Sequence, residues 1–225
     1  MSSMIREEDD IDPRCGKPRW ACVCDRVTPL RPRTRVVILQ HPQEDDVVLG
    51  TARIVTTAIA SAKIIVGLSW ASLDAALGET VDRNRWSSVY AHKIPEGAAG
   101  RNGAVVMDRH GELTNAPRPE GIVLLDGTWS QAKTLWWRNP WLLKLGRIAL
   151  VPKQPGIYGK LRQEPRRDHV STLEAVGGTL TGLGEDPKIE AELNKLMRTM
   201  VQRARDHGFD PRKKAAPAQR RPTKD

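Results

Sequence analysis

Asp126 stands at the end of the apolar run Ile122-Val123-Leu124-Leu125, and Gly127, Thr128 and Trp129 follow it. Such a run reads as a buried strand, Gly127 as a bend, and Thr128 as the neighbourhood of a helix start. Open α/β sheets bind ligands outside the carboxyl ends of their strands. A carboxylate there can act as a general base, hold an amine, or cap the next helix. The cap is the commonest duty of an Asp before a helix, and the sequence leaves all three roles open. A second candidate is Ser171-Thr172-Leu173-Glu174-Ala175. Ser171 and Glu174 have capping-box spacing, and the N–H groups of the same helix start can equally hold a ligand carboxylate. A third is the group Cys15, Cys22 and Cys24, three cysteines within ten residues. In a reducing compartment such a cluster binds metal or is reactive more often than it forms disulfides.

Basic residues form a further group. Arg31, Arg33 and Arg35 alternate, so an extended segment puts them on one face. With Lys160, Arg162, Arg166 and Arg167 they can line a phosphate path, or simply make a solvated charged surface. His41, ahead of Pro42, is more often a structural hydrogen-bonder than a base. The net charge of +9 and pI near 9.8 suit a polyanionic partner. Seven Trp against one Phe and two Tyr offer stacking surfaces for bases as well as core filling. No Gly-x-Gly-x-x-Gly occurs, which argues against a Rossmann methyltransferase. No apolar run reaches membrane-spanning length, and the polar, acidic N-terminus is unlike a signal peptide, so the expectation is a cytoplasmic protein without membrane contact.

These residues need a scaffold to bring them together. The continuous apolar runs predict strands at 35–40, 63–68 and 121–125, covered on both faces as in a parallel sheet. Weaker strands are expected at 86–91, 104–107 and 147–151, with turns at Asn102-Gly103 and His110-Gly111. Helices are expected at 51–62, 72–77, 130–137, 171–176 and 187–207. Strands alternating with helices predict an α/β fold with a mostly parallel sheet. The expected organisation is an acidic disordered leader over 1–11, a Cys-containing knuckle over 12–30, a catalytic domain over 31–208 and a disordered basic tail over 209–225. Residues 211–225 hold six Lys or Arg, one acid and three Pro, too polar to build a core.

Asp126-Gly127-Thr128-Trp129 resembles the D-x-T-W motif of the DTW-domain family. Three other segments resemble that family in the same order: His41-Pro42-Gln43-Glu44 its HP-x-E segment, residues 158–165 its Tyr-preceded L-R-x-x-P segment, and residues 171–175 its STLEA segment. They span more than half of the chain. The resemblance implies a SPOUT-like fold with a knot near the C-terminal half. It also implies transfer of a 3-amino-3-carboxypropyl group from S-adenosylmethionine to N3 of a tRNA uridine; no protein partner is predicted. On that reading Asp126, Thr128 and Trp129 are the catalytic candidates. Leu125, Tyr158, Leu161, Arg162, Ser171 and Thr172 are the candidates for holding the donor. Many relatives carry C-x2-C ahead of C-x-C, which resembles a four-thiolate zinc site. Here Asp12 stands where the first Cys would be, so Cys15, Cys22 and Cys24 with Asp12 can hold zinc, or the metal has been lost.

Uridine N3 is a weak acid and must lose its proton to attack. Asp126 can serve that need, or hold the donor amine or sulfonium by charge. The leaving group, methylthioadenosine, is a neutral thioether and needs no acid catalyst. The enzyme must then chiefly supply alignment, with N3 facing the side-chain carbon of the methionyl group rather than the methyl. Competing expectations are an RNA methyltransferase of the same fold, the same transfer on rRNA, and a non-enzymatic RNA-binding protein.

Overall fold

A computed structural model of the chain describes residues 11–44, 48–98, 103–152, 154–161 and 170–210. Most of the leader, residues 162–169 with Arg162, Arg166 and Arg167, and the basic segment 211–225 lie outside the described residues.

The strands are β1 Arg35–Gln40, β2 Lys63–Val66, β3 Trp86–Val89, β4 Gly103–Met107, β5 Gly121–Asp126 and β6 Gly146–Val151. They form one sheet in the order β2-β1-β5-β3-β6-β4. All neighbours run parallel except β4, which pairs antiparallel with β6. The α-helices are α1 Ala52–Ala58, α2 Leu73–Leu77, α3 Trp129–Arg138, α4 Thr172–Gly182 and α5 Pro187–Asp206.

The period of two in a strand divides the apolar runs between two cores. Val36, Ile38, Ile122 and Leu124 point to one face, with α1, α4 and α5 over them. Val37, Leu39 and Val123 point to the other, against α2, Trp86, Trp141 and Leu142. Val36 to Leu39 are at most 2% exposed, and burying each side chain contributes about 1.5–3 kcal/mol.

Several expectations shift. β2, expected to be covered on both faces, is a sheet edge, and Val66 is 59% exposed. α1 ends at Ala58, four residues before the expected end, because Ile59 leaves the helix to bridge Leu30. α4 runs to Gly182 rather than stopping at Val176. The extension carries Gly177 and Gly178 inside the helix. In the fold Gly177 is where α5 crosses, and a Cβ there would lie 3.2 Å from the Glu190 backbone.

The segment around Cys15, Cys22 and Cys24 joins the core that α1 and α5 build. Asp25 accepts two hydrogen bonds from Arg203 of α5, and Trp20 stacks on His207 at 4.1 Å.

Candidate active site

β1 and β5 pair in parallel from Arg35↔Gly121 to Gln40↔Asp126, so their carboxyl ends come level. The chain turns away after each strand, at His41 and at Gly127. Gly127 takes φ +148°, a conformation that suits glycine, and a Cβ there would lie 2.9 Å from Gln131. That bend leaves the Asp126 side chain pointing out of the strand end.

Thr128, not Asp126, caps α3. Its hydroxyl accepts from the Gln131 N–H, and the Gln131 side chain accepts from the Thr128 N–H at 2.6 Å. The Asp126 carboxylate is thereby released from helix duty. Its Oδ2 accepts from Gln40 Nε2 at 2.8 Å, and its Oδ1 accepts from the Thr172 hydroxyl. Asp126 is 7% exposed, and no lysine or arginine among the described residues forms an ion pair with it. Among the described residues Gln40 and Thr172 donate to it as neutral groups, so no described ion pair offsets its desolvation.

α4 begins opposite. Ser171 caps it in a full capping box with Glu174, as the spacing predicts. The Leu173 N–H is taken by the Thr51 hydroxyl at 3.2 Å and the Glu174 N–H by Ser171. Of the N–H groups expected to meet a ligand carboxylate, these two are already satisfied within the protein. Glu174 also accepts from the Ile157 N–H at 2.8 Å, which anchors the turn carrying Tyr158. The buried Tyr158 hydroxyl donates to the Leu49 carbonyl.

Between these elements lies a cavity of about 680 Å³, within the usual size of small-molecule sites. It gathers Leu125, Asp126, Thr128, Trp129, Tyr158, Ser171 and Thr172, which the sequence puts in separate stretches. Leu161 does not line it and packs in the core instead. Arg162 lies outside the described residues.

Sequence reasoning missed Gln40, Thr51, Tyr90 and His92. Tyr90 and His92 follow β3 and line the cavity. Only their place after a short strand could have pointed to them. His92 Nε2 lies 3.2 Å from both the Ser88 hydroxyl and the Ser88 carbonyl. A carbonyl only accepts, so Nε2 carries the proton. Burial pushes the His92 pKa down to about 4, and nearby Arg147 adds to the shift, so the ring is neutral at pH 7. His41 Nδ1 accepts from the Gln43 N–H.

The phosphate path expected from Arg31, Arg33 and Arg35 with Lys160, Arg162, Arg166 and Arg167 lies partly outside the described residues. Arg35 pairs with Glu79 and lies over the Trp86 ring, and Arg33 pairs with Glu185. Arg35 sits at the amino end of β1, about 17 Å of strand from the cavity.

Away from the cavity, Asp12, Cys15, Cys22 and Cys24 are all buried, and their donor atoms lie within 4.8 Å of one another. Cys15 Sγ is 3.6 Å from Cys22 Sγ, and Cys24 Sγ is 3.6 Å from Asp12 Oδ1. Tetrahedral zinc spaces two thiolates about 3.8 Å apart and a thiolate and a carboxylate oxygen about 3.5 Å apart. The donor set therefore fits zinc, whereas a disulfide needs sulfurs about 2.05 Å apart. The Arg14 side chain holds the Asp12 carboxyl well below the usual range, so it is ionised and ready to ligate. Burial pushes the Cys24 thiol up.

Comparison with known proteins adds the family. The description "DTW domain" matches residues 12–205. The chain belongs to the DTW-domain family. The DTW domain thus begins at Asp12, takes in the Cys cluster, and ends one residue before the end of α5. The chain is 25% identical over 199 residues to tRNA-uridine aminocarboxypropyltransferase 2 of Macaca fascicularis, covering 87% of this chain and 63% of that protein. It is 26% identical over 201 residues to the protein of the same name in Drosophila melanogaster, covering 87% and 75%. This DTW protein therefore spans less than two thirds of the length of the macaque relative. No solved structure gives a significant match.

Proposed function

We propose that this protein transfers the 3-amino-3-carboxypropyl group of S-adenosylmethionine to N3 of a tRNA uridine and releases methylthioadenosine. The observation that carries the reading is the Asp126 carboxylate, buried, held by Gln40 and Thr172, and without a cationic partner among the described residues. A donor with an ammonium and a sulfonium would supply the counter-charge that no described residue provides as an ion pair. Membership of the DTW family and the names of the macaque and fly relatives support the same chemistry.

On this reading Gln40 and Thr172 orient Asp126, and Asp126 fixes the methionyl part of the donor. Leu125 and Tyr158 flank it, Ser171 secures the helix start, and Leu161 backs the turn from within the core. Arg162 and the basic loop beside it would meet the donor or RNA phosphates. Thr128 and Trp129 face the acceptor. Held at both ends, the methionyl side-chain carbon meets N3, the carbon–nitrogen bond forms as the N3 proton passes to water, and the carbon–sulfur bond breaks with its electron pair going to sulfur. Alignment is the main contribution, because the departing thioether is neutral.

Zinc on Asp12, Cys15, Cys22 and Cys24 would serve a structural role, since all four positions are protein ligands and none is left for chemistry. The reading also carries a SPOUT-like chain path with a knot at the donor loops and a cytoplasmic place of work. No described helix is long and apolar enough to cross a membrane.

Nucleoside mass spectrometry on unmodified tRNA incubated with protein and S-adenosylmethionine tests the proposal. Aminocarboxypropyl-uridine with methylthioadenosine is the expected result. A methylated nucleoside with S-adenosylhomocysteine would make the protein a methyltransferase instead.

A further inference from the structure

Charge pairing is uneven across the fold. Arg33, Arg85, Arg118 and Arg203 each face a carboxylate. From Gly127 to Gln163, by contrast, the chain carries seven Lys or Arg and no acid. α3 opens that stretch. Its Lys133 and Arg138 are exposed and form no ion pair with a described acid. The same holds for Lys144 in the 3-10 turn Pro140–Lys144 that follows. Ser130, Lys133, Thr134 and Trp137 recur at i, i+3, i+4 and i+7, so they share the outer face of α3, with Arg138 at its margin. Ala132 and Leu135 take the opposite side and are buried.

Trp137 is the large apolar group on this face. It is 71% exposed and no described ring stacks on it, whereas Trp86 and Trp141 are buried as core filling. An indole left in water adds little to folding, and aromatic side chains beside Arg are enriched where surfaces meet a partner. An open indole among unpaired cations, with no acid nearby in the chain, suits a polyanion that carries flat rings. Bases stack on aromatic faces while phosphates meet Lys and Arg. A duplex hides its base faces, so a strand that stacks on Trp137 is unpaired. We propose that the outer face of α3 docks an unpaired stretch of RNA, with a base on Trp137 and the neighbouring phosphates on Lys133 and Arg138.

The choice of RNA rests on the transferase reading above, to which the proposal adds a docking surface outside the cavity. α3 serves both. Thr128 and Ala132, at its start, line the cavity. Trp137 lies about 7.5 Å further along the helix axis than Ala132, on the outer side. RNA with its acceptor base at the cavity therefore has α3 beside the mouth to hold its flanking residues. A second copy of the chain is the other occupant an exposed Trp could suit. Two copies meeting through this face about a twofold axis would bring cations against cations with no acid between them, which opposes the contact.

The test uses the full chain carrying Trp137→Ala, Trp137→Phe, or Lys133→Ala together with Arg138→Ala. Affinity for unmodified tRNA is measured over a series of salt concentrations, alongside S-adenosylmethionine affinity, melting temperature and sedimentation. Trp137→Ala should weaken tRNA binding about 10- to 100-fold, the size of one lost base stack, and Trp137→Phe should keep most of it. The double variant should lower the salt slope by about 1.4–1.8, the share of two phosphate contacts. Donor affinity and melting temperature should not move, because all three side chains are exposed. Wild-type tRNA affinity in Trp137→Ala, or an unchanged slope in the double variant, would overturn the surface. So would a chain that is dimeric as wild type and monomeric as Trp137→Ala with tRNA affinity kept, which would assign the face to a second copy. A single-stranded oligouridine that loses no more affinity to Trp137→Ala than duplex RNA does would overturn the unpaired-strand contact. The functional reading fails separately: a wild-type chain that binds tRNA through these residues yet transfers nothing from the donor would take down that reading and leave the docking surface in place.

Discussion

A single carboxylate shows how far residue types alone can be read. The sequence identifies Asp126 as a strand-end acid but leaves base, amine holder and cap open. What separates them is the neighbouring Thr128, whose hydroxyl takes the cap. Gln40 and Thr172 then claim the carboxylate, and they lie 86 and 46 residues away. Such partners are invisible in a linear reading, because nothing local to Gln40 marks it as a partner of Asp126. Asp126→Asn keeps the shape and lets the amide oxygen accept from Thr172 while Gln40 reverses its own amide. The melting temperature should barely move, while turnover falls by on the order of a hundredfold or more. Donor affinity divides the roles. A weakened Kd for S-adenosylmethionine marks Asp126 as the donor's charge partner, and an unchanged Kd marks it as the base. Near-normal turnover in a folded variant would remove it from the chemistry. His92 gives a second residue-scale test. Its folded pKa of about 4 lies below the unfolded value, so the unfolded chain binds the extra proton between them. Stability from this residue is full above about pH 6.5 and is lost as pH falls toward 4, to the extent of about 3 kcal/mol at most, less what solvent access screens. Melting temperatures of wild type and His92→Gln measured from pH 7.5 to 4 should converge as pH falls. Parallel curves would mean that the imidazole is not held neutral.

At the scale of elements, what was legible follows from burial. β1 and β5 sit mid-sheet, need apolar residues on both faces, and so appear in the sequence as unbroken runs with nearly the right limits. β2 shows the same kind of run, Ile64-Ile65-Val66, yet lies at the edge, since a short apolar run does not say how many neighbours it has. β4 runs against its neighbour without any sign of it in its own residues. The Cys segment was legible as a cluster, but not as part of the main core. Lys17 makes the connection: its buried ammonium donates to the carbonyls of Val48 and Gly50. The same stretch offers the Leu49 carbonyl to Tyr158 and the Thr51 hydroxyl to Leu173. A metal in the cluster would thus brace the donor side of the cavity from behind. Elemental analysis of purified protein should find about one zinc per chain. Stripping it with a strong chelator should lower the melting temperature by several degrees or more and weaken donor binding. A metal-free chain with the same melting temperature and donor affinity would mean that the four ligands do not use zinc.

Over the whole molecule, the sum of charge is legible but its distribution is not. Many arginines in the described fold are already engaged: Arg33 and Arg118 with Glu185, Arg35 and Arg85 with Glu120, Arg203 with Asp25. Glu185 is buried and the other acids are partly exposed, and each pair cancels charge locally as seen by an approaching phosphate. The excess that remains for a polyanion therefore falls heavily on 211–225, with six basic residues and one acid. Deleting that segment lowers the net charge from +9 to +4. The segment follows α5 and lies beyond the DTW match, and none of the described cavity residues belongs to it. Its removal should leave S-adenosylmethionine affinity and melting temperature unchanged while weakening tRNA binding. The decisive quantity is the slope of log affinity against log salt. Each phosphate contact contributes about 0.7–0.9 to its magnitude, so the slope should shrink by up to about 5 if all six basic residues reach the backbone. Weaker binding with an unchanged slope would mean that the loss is not electrostatic. Unchanged binding and slope would put the RNA contacts entirely on residues 1–210.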